Sequence, residues 1–404
     1  MFLARGTLPW RSRHRRRLVD VTRHRPHWAL YAGAAAVAVV LGATATAIAL
    51  RSGDRGVSAA ALGLEPTSSA SETSTESVLP VVSDVTPVAT VSAAPGTCPT
   101  YPGFPSLSCT GWQHTGVTPA ACDQLLVDNV FVIKGSEAGT VVDGCDFTGH
   151  QVRITGDGAV TLKRSRVRHN GSCDSACAAI LIDQGAGPVT IEDVEVTTTD
   201  PNVSDEAQRL DRTITVAKNN DLPVTIRRVY AHDATRGIDV TGQSNVTIVD
   251  SYLAFNVSPP SNGKCDQERK HSSVIRAAGG VSNLVVRNTV LGVGACAFAS
   301  GLVALYPENG PNHDITFDGG LWIVRTDNDG AFGVAVGYTP GSEQPNSNIT
   351  VRNVQISTQY YSEGCPSGCG QNWTGSKAPT GVTVWDNVTR FNPGQIDHGQ
   401  PIDP

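Results

Sequence analysis

One short pattern recurs through the C-terminal two-thirds of the chain. It reads TVVDGCDF (140–147), VTLKRSRV (160–167), VTIEDVEV (189–196), VTIRRVYA (224–231), VTIVDSYL (246–253), LVVRNTVL (284–291), ITFDGGLW (315–322), ITVRNVQI (349–356) and VTVWDNVT (382–389). The starts are 20, 29, 35, 22, 38, 31, 34 and 33 residues apart, nine rungs in all. Position three is always apolar and position two is Thr in seven rungs, the period-two signature of a strand with one buried face. Position five is Gly, Asp or Asn except at Arg164 and Arg228, residue types that suit a left-handed bend.

A second strand family lies between the rungs: AAILID (178–183), TITVAK (213–218), RGIDV (236–240), VIRAA (274–278), GLVALY (301–306) and GVAVGY (333–338). Each unit therefore supplies a strand, a short loop, a second strand, a tight bend and a third short strand. One such unit cannot bury its apolar face, but units stacked about 4.8 Å apart pile equivalent residues into a continuous core. The spacing predicts an all-β parallel β-helix of about nine or ten coils, with variable intervals becoming loops on one side. A β-sandwich also has near-regular strands and turns, but it gives no reason for one tripeptide and one bend residue to recur in column.

The chain ahead of the repeat divides into three. Residues 1–27 carry eight Arg and one Asp, a charge of +7, so the remainder carries −13 of the overall −6. Residues 28–50 are uncharged for 23 positions, long enough to span a bilayer. The preceding arginines place the N-terminus in the cytoplasm, so residues 28–50 read as a single-pass transmembrane signal-anchor. The alternative is a cleaved signal peptide, whose apolar core is shorter. Residues 51–97, rich in Ser, Thr and Pro, cannot bury a core and are expected to form a disordered linker. Both readings export the domain at 98–404 from the cytoplasm. Basic charge confined to a cytoplasmic tail does not describe a nucleic-acid binder.

All ten cysteines, Cys98, Cys109, Cys122, Cys145, Cys173, Cys177, Cys265, Cys296, Cys365 and Cys369, follow the apolar segment, as expected of five disulfides in an oxidising compartment. Their spacing lacks the paired motifs of a zinc site. Cys122 with Cys145 would tie an N-terminal cap to the first coil. Cys265 and Cys296, one rung apart, would bridge neighbouring loops. Cys98–Cys109, Cys173–Cys177 and Cys365–Cys369 would be local staples.

The tripeptide-and-bend repeat resembles the right-handed parallel β-helix superfamily that includes pectate lyases. The stretch CTGWQHTGVTPAACDQL (109–125) is similar to the start of exported actinobacterial β-helix proteins of largely unassigned activity. The resemblance covers about residues 98–404 and implies a polysaccharide-facing groove along the second strand family. With Ile214, Ile238, Ile275, Val303 and Val334 inward, the outward row is Thr215, Asp239, Arg276, Ala304, Ala335, flanked by His232, Asp233, Arg236, Lys270 and His271.

If the groove cleaves its polymer, the resemblance makes Arg276 or Lys270 the base of a β-elimination, with Asp233 and Asp239 holding calcium, the one cofactor implied. A hydrolase would need two facing carboxylates, a role open to Asp233 and Asp239. The plainer reading makes Asp239 and Arg276 a stacked cross-strand pair. The calcium motif of pectate lyases and the acidic set of polygalacturonases are missing, and where related proteins carry His-x-Asp-Gly this chain has His271-Ser272-Ser273-Val274. Tyr360, Tyr361 and Trp373, around Cys365 and Cys369, are candidates to stack on sugar rings or to cover the helix side. Three functions therefore stand: a surface-tethered polysaccharide lyase or hydrolase, a non-catalytic glycan-binding or adhesive protein, and a structural rod. The expected partners are a cell-envelope or environmental polysaccharide and the membrane.

Overall fold

The computed structural model describes residues 97–171, 178–201, 210–217, 222–242, 245–255, 273–293, 301–307, 309–324, 332–336, 346–362, 364–365 and 381–402. The basic tail, the apolar segment 28–50 and the linker up to residue 96 lie outside them. So do Lys270, His271, Trp373 and five cysteines: Cys173, Cys177, Cys265, Cys296 and Cys369. No helix among the described residues is long and apolar enough to cross a membrane.

The described chain is almost wholly parallel β-structure in three stacked sheets, an arrangement compatible with a parallel β-helix. Sheet 1 consists of the nine repeat strands, from Thr140–Asp143 and Val160–Lys163 to Ser347–Arg352 and Val382–Asp386. Sheet 2 holds the ten short strands around and after the bend, among them Arg166–His169, Glu195–Thr198, Tyr230–His232, Tyr252–Phe255 and Thr389–Phe391. Sheet 3 is the second family, Ala178–Ile182, Arg212–Val216, Arg236–Val240, Ile275–Ala277, Gly301–Leu305 and Phe332–Val336. It is extended at its N-terminal end by Leu126–Val127, Val130–Lys134 and Gln151–Thr155. Those three strands precede or lack the Thr-and-bend signature, so the repeat gave no notice of them.

The column of identical positions is the core. Val160, Val189, Val224, Val246, Leu284, Ile315 and Ile349 pair in register, as do Leu162, Ile191, Ile226, Ile248, Val286, Phe317 and Val351. All fourteen are buried. Each such side chain contributes roughly 1.5–3 kcal/mol on leaving water, and stacking makes every coil depend on its neighbours.

The bend forms a second column. Gly144, Arg164, Asp193, Arg228, Asp250, Asn288, Gly319, Asn353 and Asn387 all have positive φ. Each backbone N–H from Gly144 to Asn353 donates to a carbonyl of the next coil, as in Asp193 to Arg227 and Arg228 to Val249. The two arginines that break the residue preference are held by carboxylates: Arg164 by Asp143, Arg228 by Asp193 and Glu192. The amides do the same work elsewhere, Asn288 Nδ2 donating to Asp250 Oδ1 at 2.7 Å and Asn387 Nδ2 to Asn353 Oδ1 at 2.8 Å.

The last coil departs from the repeat. A bulge between Ile349 and Thr350 sets Val384 opposite Thr350 and Trp385 opposite Val351. Val384, inward by the repeat, is instead exposed, and Trp385 packs against the core with Nε1 donating to the Ile402 carbonyl at 2.7 Å. The bend moves with it, from Asp386 to Asn387. The indole packs on the last described coil of the core, beside the buried Ile402.

Residues 97–117 form a strap along the bend column. The Cys98 Sγ lies 3.5 Å from the Asp250 carbonyl, Asn288 Nδ2 donates to the Pro99 carbonyl, and Gln355 Nε2 donates to the Pro102 carbonyl. Phe104 meets Phe391 edge-on at 5.2 Å. The strap then doubles back: the Cys98–Cys109 disulfide closes the loop, and Gly111 N–H donates to the Arg228 carbonyl. Cys122–Cys145 ties the chain to the first coil, as expected. Cys365 is also disulfide-bonded. Trp112 lies on the strap against sheet 2, its Nε1 on Glu195 and its ring beneath the Arg166 guanidinium at 5.7 Å.

Candidate functional site

The outward row of sheet 3 stands in the register the repeat implied. Thr215 pairs with Asp239, Asp239 with Arg276, Arg276 with Ala304, and Ala304 with Ala335. The connections whose length varies most from coil to coil, 199–211, 233–235, 256–274, 294–300 and 325–331, all lead from sheet 2 into sheet 3.

Asp239 is the centre of this row. Its side chain is 2% exposed, with Oδ2 2.7 Å from Arg212 Nε and 3.5 Å from Arg276 Nη1. Asp211 lies 3.5 Å from Arg212 and 3.9 Å from Arg236, so three arginines and two aspartates share the site. The Arg276 guanidinium sits over the Tyr306 ring at 5.9 Å, within cation–π range. Burial raises the Asp239 carboxyl above its ordinary range, against the opposing charges of Arg212, Arg276 and Arg236. Among the described residues its Oδ1 is buried with no hydrogen-bond partner, and so are the hydroxyls of Thr213 and Thr215. A buried acceptor normally finds a donor, so an unpaired carboxylate oxygen amid arginines marks a place prepared for another group.

Asp233, paired with Asp239 in the calcium reading, is engaged on another sheet. Its Oδ2 lies 2.6 Å from His232 Nδ1, whose Nε2 lies 3.1 Å from Glu195 Oε1. Burial works against charge on His232, but the hydrogen bonds to Asp233 and Glu195 outweigh it and raise the imidazole above its usual range. Burial likewise opposes the Glu195 carboxylate, and the bonds from His232 and Trp112 hold it below the usual range. No group of three or more His, Cys, Asp or Glu side chains placed to hold a metal ion occurs among the described residues. The structure thus brings Asp239 and Arg276 together and gives Asp233 different partners.

Tyr361 is half-buried and packs against the core, and Tyr360 beside it is half-buried. The residues that the sequence did not single out are Arg212, Asp211, Tyr306 and Glu195. Arg212 had a readable signal: it pairs with Arg236 one coil on, and both open their strands. Glu195 had none, being 37 residues from His232. Comparison with protein-family models, with curated proteins and with solved structures returned no match.

Proposed function

We propose that the chain is a membrane-anchored, extracytoplasmic β-helix protein whose sheet 3 face is a groove for a polysaccharide, which it cleaves. The carrying observation is Asp239: a buried carboxyl with a raised proton affinity, one oxygen unpaired, beside arginines. A carboxyl whose proton affinity burial has raised is suited to giving a proton to a leaving group, which is general-acid chemistry. The three arginines outnumber the two aspartates, which makes the site positive on an otherwise acidic ectodomain and favours an anionic sugar such as a uronate. The right-handed coil follows the preference of parallel crossovers, and the resemblance to pectate-lyase-like proteins supports the substrate class. Residues 28–50 supply the membrane anchor.

The second reading is a non-catalytic glycan-binding or scaffolding surface. It is favoured by the 2.7 Å contact that already ties Asp239 to Arg212.

The test uses the full-length chain in detergent against neutral and uronate polysaccharides, with calcium or chelator. New reducing ends and the ultraviolet absorbance of unsaturated uronates are both followed. Cleavage that is lost in Asp239→Asn and in Arg276→Ala, each verified as folded, supports the enzyme. Binding without cleavage moves the protein to the second reading, and no binding to any glycan rejects the groove.

A further inference from the structure

His232 has both ring nitrogens on carboxylates, Nδ1 at 2.6 Å from Asp233 and Nε2 at 3.1 Å from Glu195. An imidazolium has two N–H donors, whereas neutral imidazole has one donor and one lone pair. Only the imidazolium satisfies both neighbours. Glu195 is also the carboxylate that carries the strap: its Oε2 accepts from Trp112 Nε1 at 2.7 Å and from Gln113 Nε2 at 2.8 Å. His232 therefore holds from behind the group that holds the strap in front.

We propose that the strap is a proton-operated latch, closed over sheet 2 while His232 carries its second proton and loosened when His232 gives it up. Loss of that proton leaves one N–H, which stays on the shorter contact to Asp233. The Nε2 lone pair then faces Glu195 Oε1, and the carboxylate must turn away, off the line of the Trp112 and Gln113 donors.

The surrounding groups set the direction. On the neighbouring strands, Arg166 attracts Glu195 and is itself paired with Asp146 at 2.6 Å. Tyr230 stacks on the His232 ring at 4.0 Å, Tyr252 meets Tyr230 edge-on, and the Thr197 hydroxyl lies 3.3 Å from Nδ1. From the strap, His114 Nε2 lies 2.8 Å from Asp193, which Arg228 also holds. His114 and Asp193 form a second anchor beside the first. Because folding raises His232, its contribution is complete below the ordinary histidine range and is lost as pH rises through the folded value. Opening uncovers the Tyr230–His232 stack and Arg166, a strip of aromatic and basic surface.

The test is hydrogen exchange of the full-length chain, read as protection factors for residues 110–117 from pH 6 to pH 9. The expected result is a fall of roughly tenfold, the worth of one hydrogen bond to a charged group, centred on the NMR titration of His232, while the Val189–Glu192 strand keeps its protection. The His232→Gln chain, with that strand still protected, should show a strap of constant protection across the range. A flat profile in the natural chain overturns the latch. A slope that survives His232→Gln overturns it equally.

Discussion

Arg228 lies directly over Asp193 in the bend column, Nε to Oδ1 at 2.6 Å, and both residues hold the left-handed backbone, with φ of 51° and 55°. That conformation costs an L-residue about 1–2 kcal/mol, and the paired charges offset it. A second bond from the same guanidinium reaches Asp193 Oδ2 at 2.9 Å, and the guanidinium also meets Glu192. The bend column is therefore stabilised between coils by side chains that a single coil's geometry would disfavour.

Arg228→Gly and Arg228→Ala separate the two contributions. Both lose the ion pairs, but only Ala keeps the strained φ. The Ala chain is expected to be less stable than the Gly chain by about 1 kcal/mol, measured by urea denaturation, and both less stable than the parent.

Ile226 sits in the stacked column between Ile191 and Ile248 with no exposure. Ile226→Ala should cost about 2–5 kcal/mol. Hydrogen exchange should show the loss greatest in the coils at 189–192 and 246–249, because each coil is supported by its neighbours. Even loss along the whole solenoid would contradict nearest-neighbour stacking.

His169 is buried, and neither ring nitrogen has a well-aligned hydrogen-bond partner among the described residues; a weaker approach to the Gly149 backbone does not offset the burial. Burial pushes its proton affinity down to about 4. The unfolded chain protonates this residue near pH 6.5 and the folded chain does not, so stability falls as the solution is acidified between those values. The expected loss is about 3 kcal/mol by pH 4. His169→Leu should keep most of that stability in melts run across the same range; an identical acid slope in both chains would remove His169 as its source.

Gly158 packs at the corner where sheet 3 turns into sheet 1, and a Cβ there would overlap the Ser136 backbone. Gly135 and Gly187 are its stacked neighbours, with the same close approach to the Gly158 and Asp157 carbonyls. Gly158→Ala is expected to cost about 1–3 kcal/mol or more. Circular dichroism melts would reveal it, and a neutral result would mean that the corner can widen.

The repeat made the three stacked sheets legible because a one-residue slip turns a strand's apolar set outward, so register is written into the alternation. It placed Asp239 beside Arg276 for that reason. It failed at Val384, where the bulk of Trp385 and the end of the stack outweigh the pattern. It is silent on the contacts of Asp233, since a carboxylate's partner across coils depends on which corner the chain turns, and no local spacing records that. Arg212 was missed because the strand was read as beginning one residue later. The strap carries no periodicity, and its contacts join residues as far apart as Gln355 and Pro102.

The strap also decides how a pull on the chain would be borne. Tension arriving at Thr97 reaches Cys98, halfway along the bend column at Asp250, rather than either end of the stack. The Cys98–Cys109 bond carries the load past residues 99–108 straight to Gly111 and Trp112. Those contacts are met one after another, as in a peeled tape, and the peeling stops at Cys122–Cys145. The coils beyond it are spared, because the force path is diverted into a covalent staple on the first coil before it can unzip the sheets.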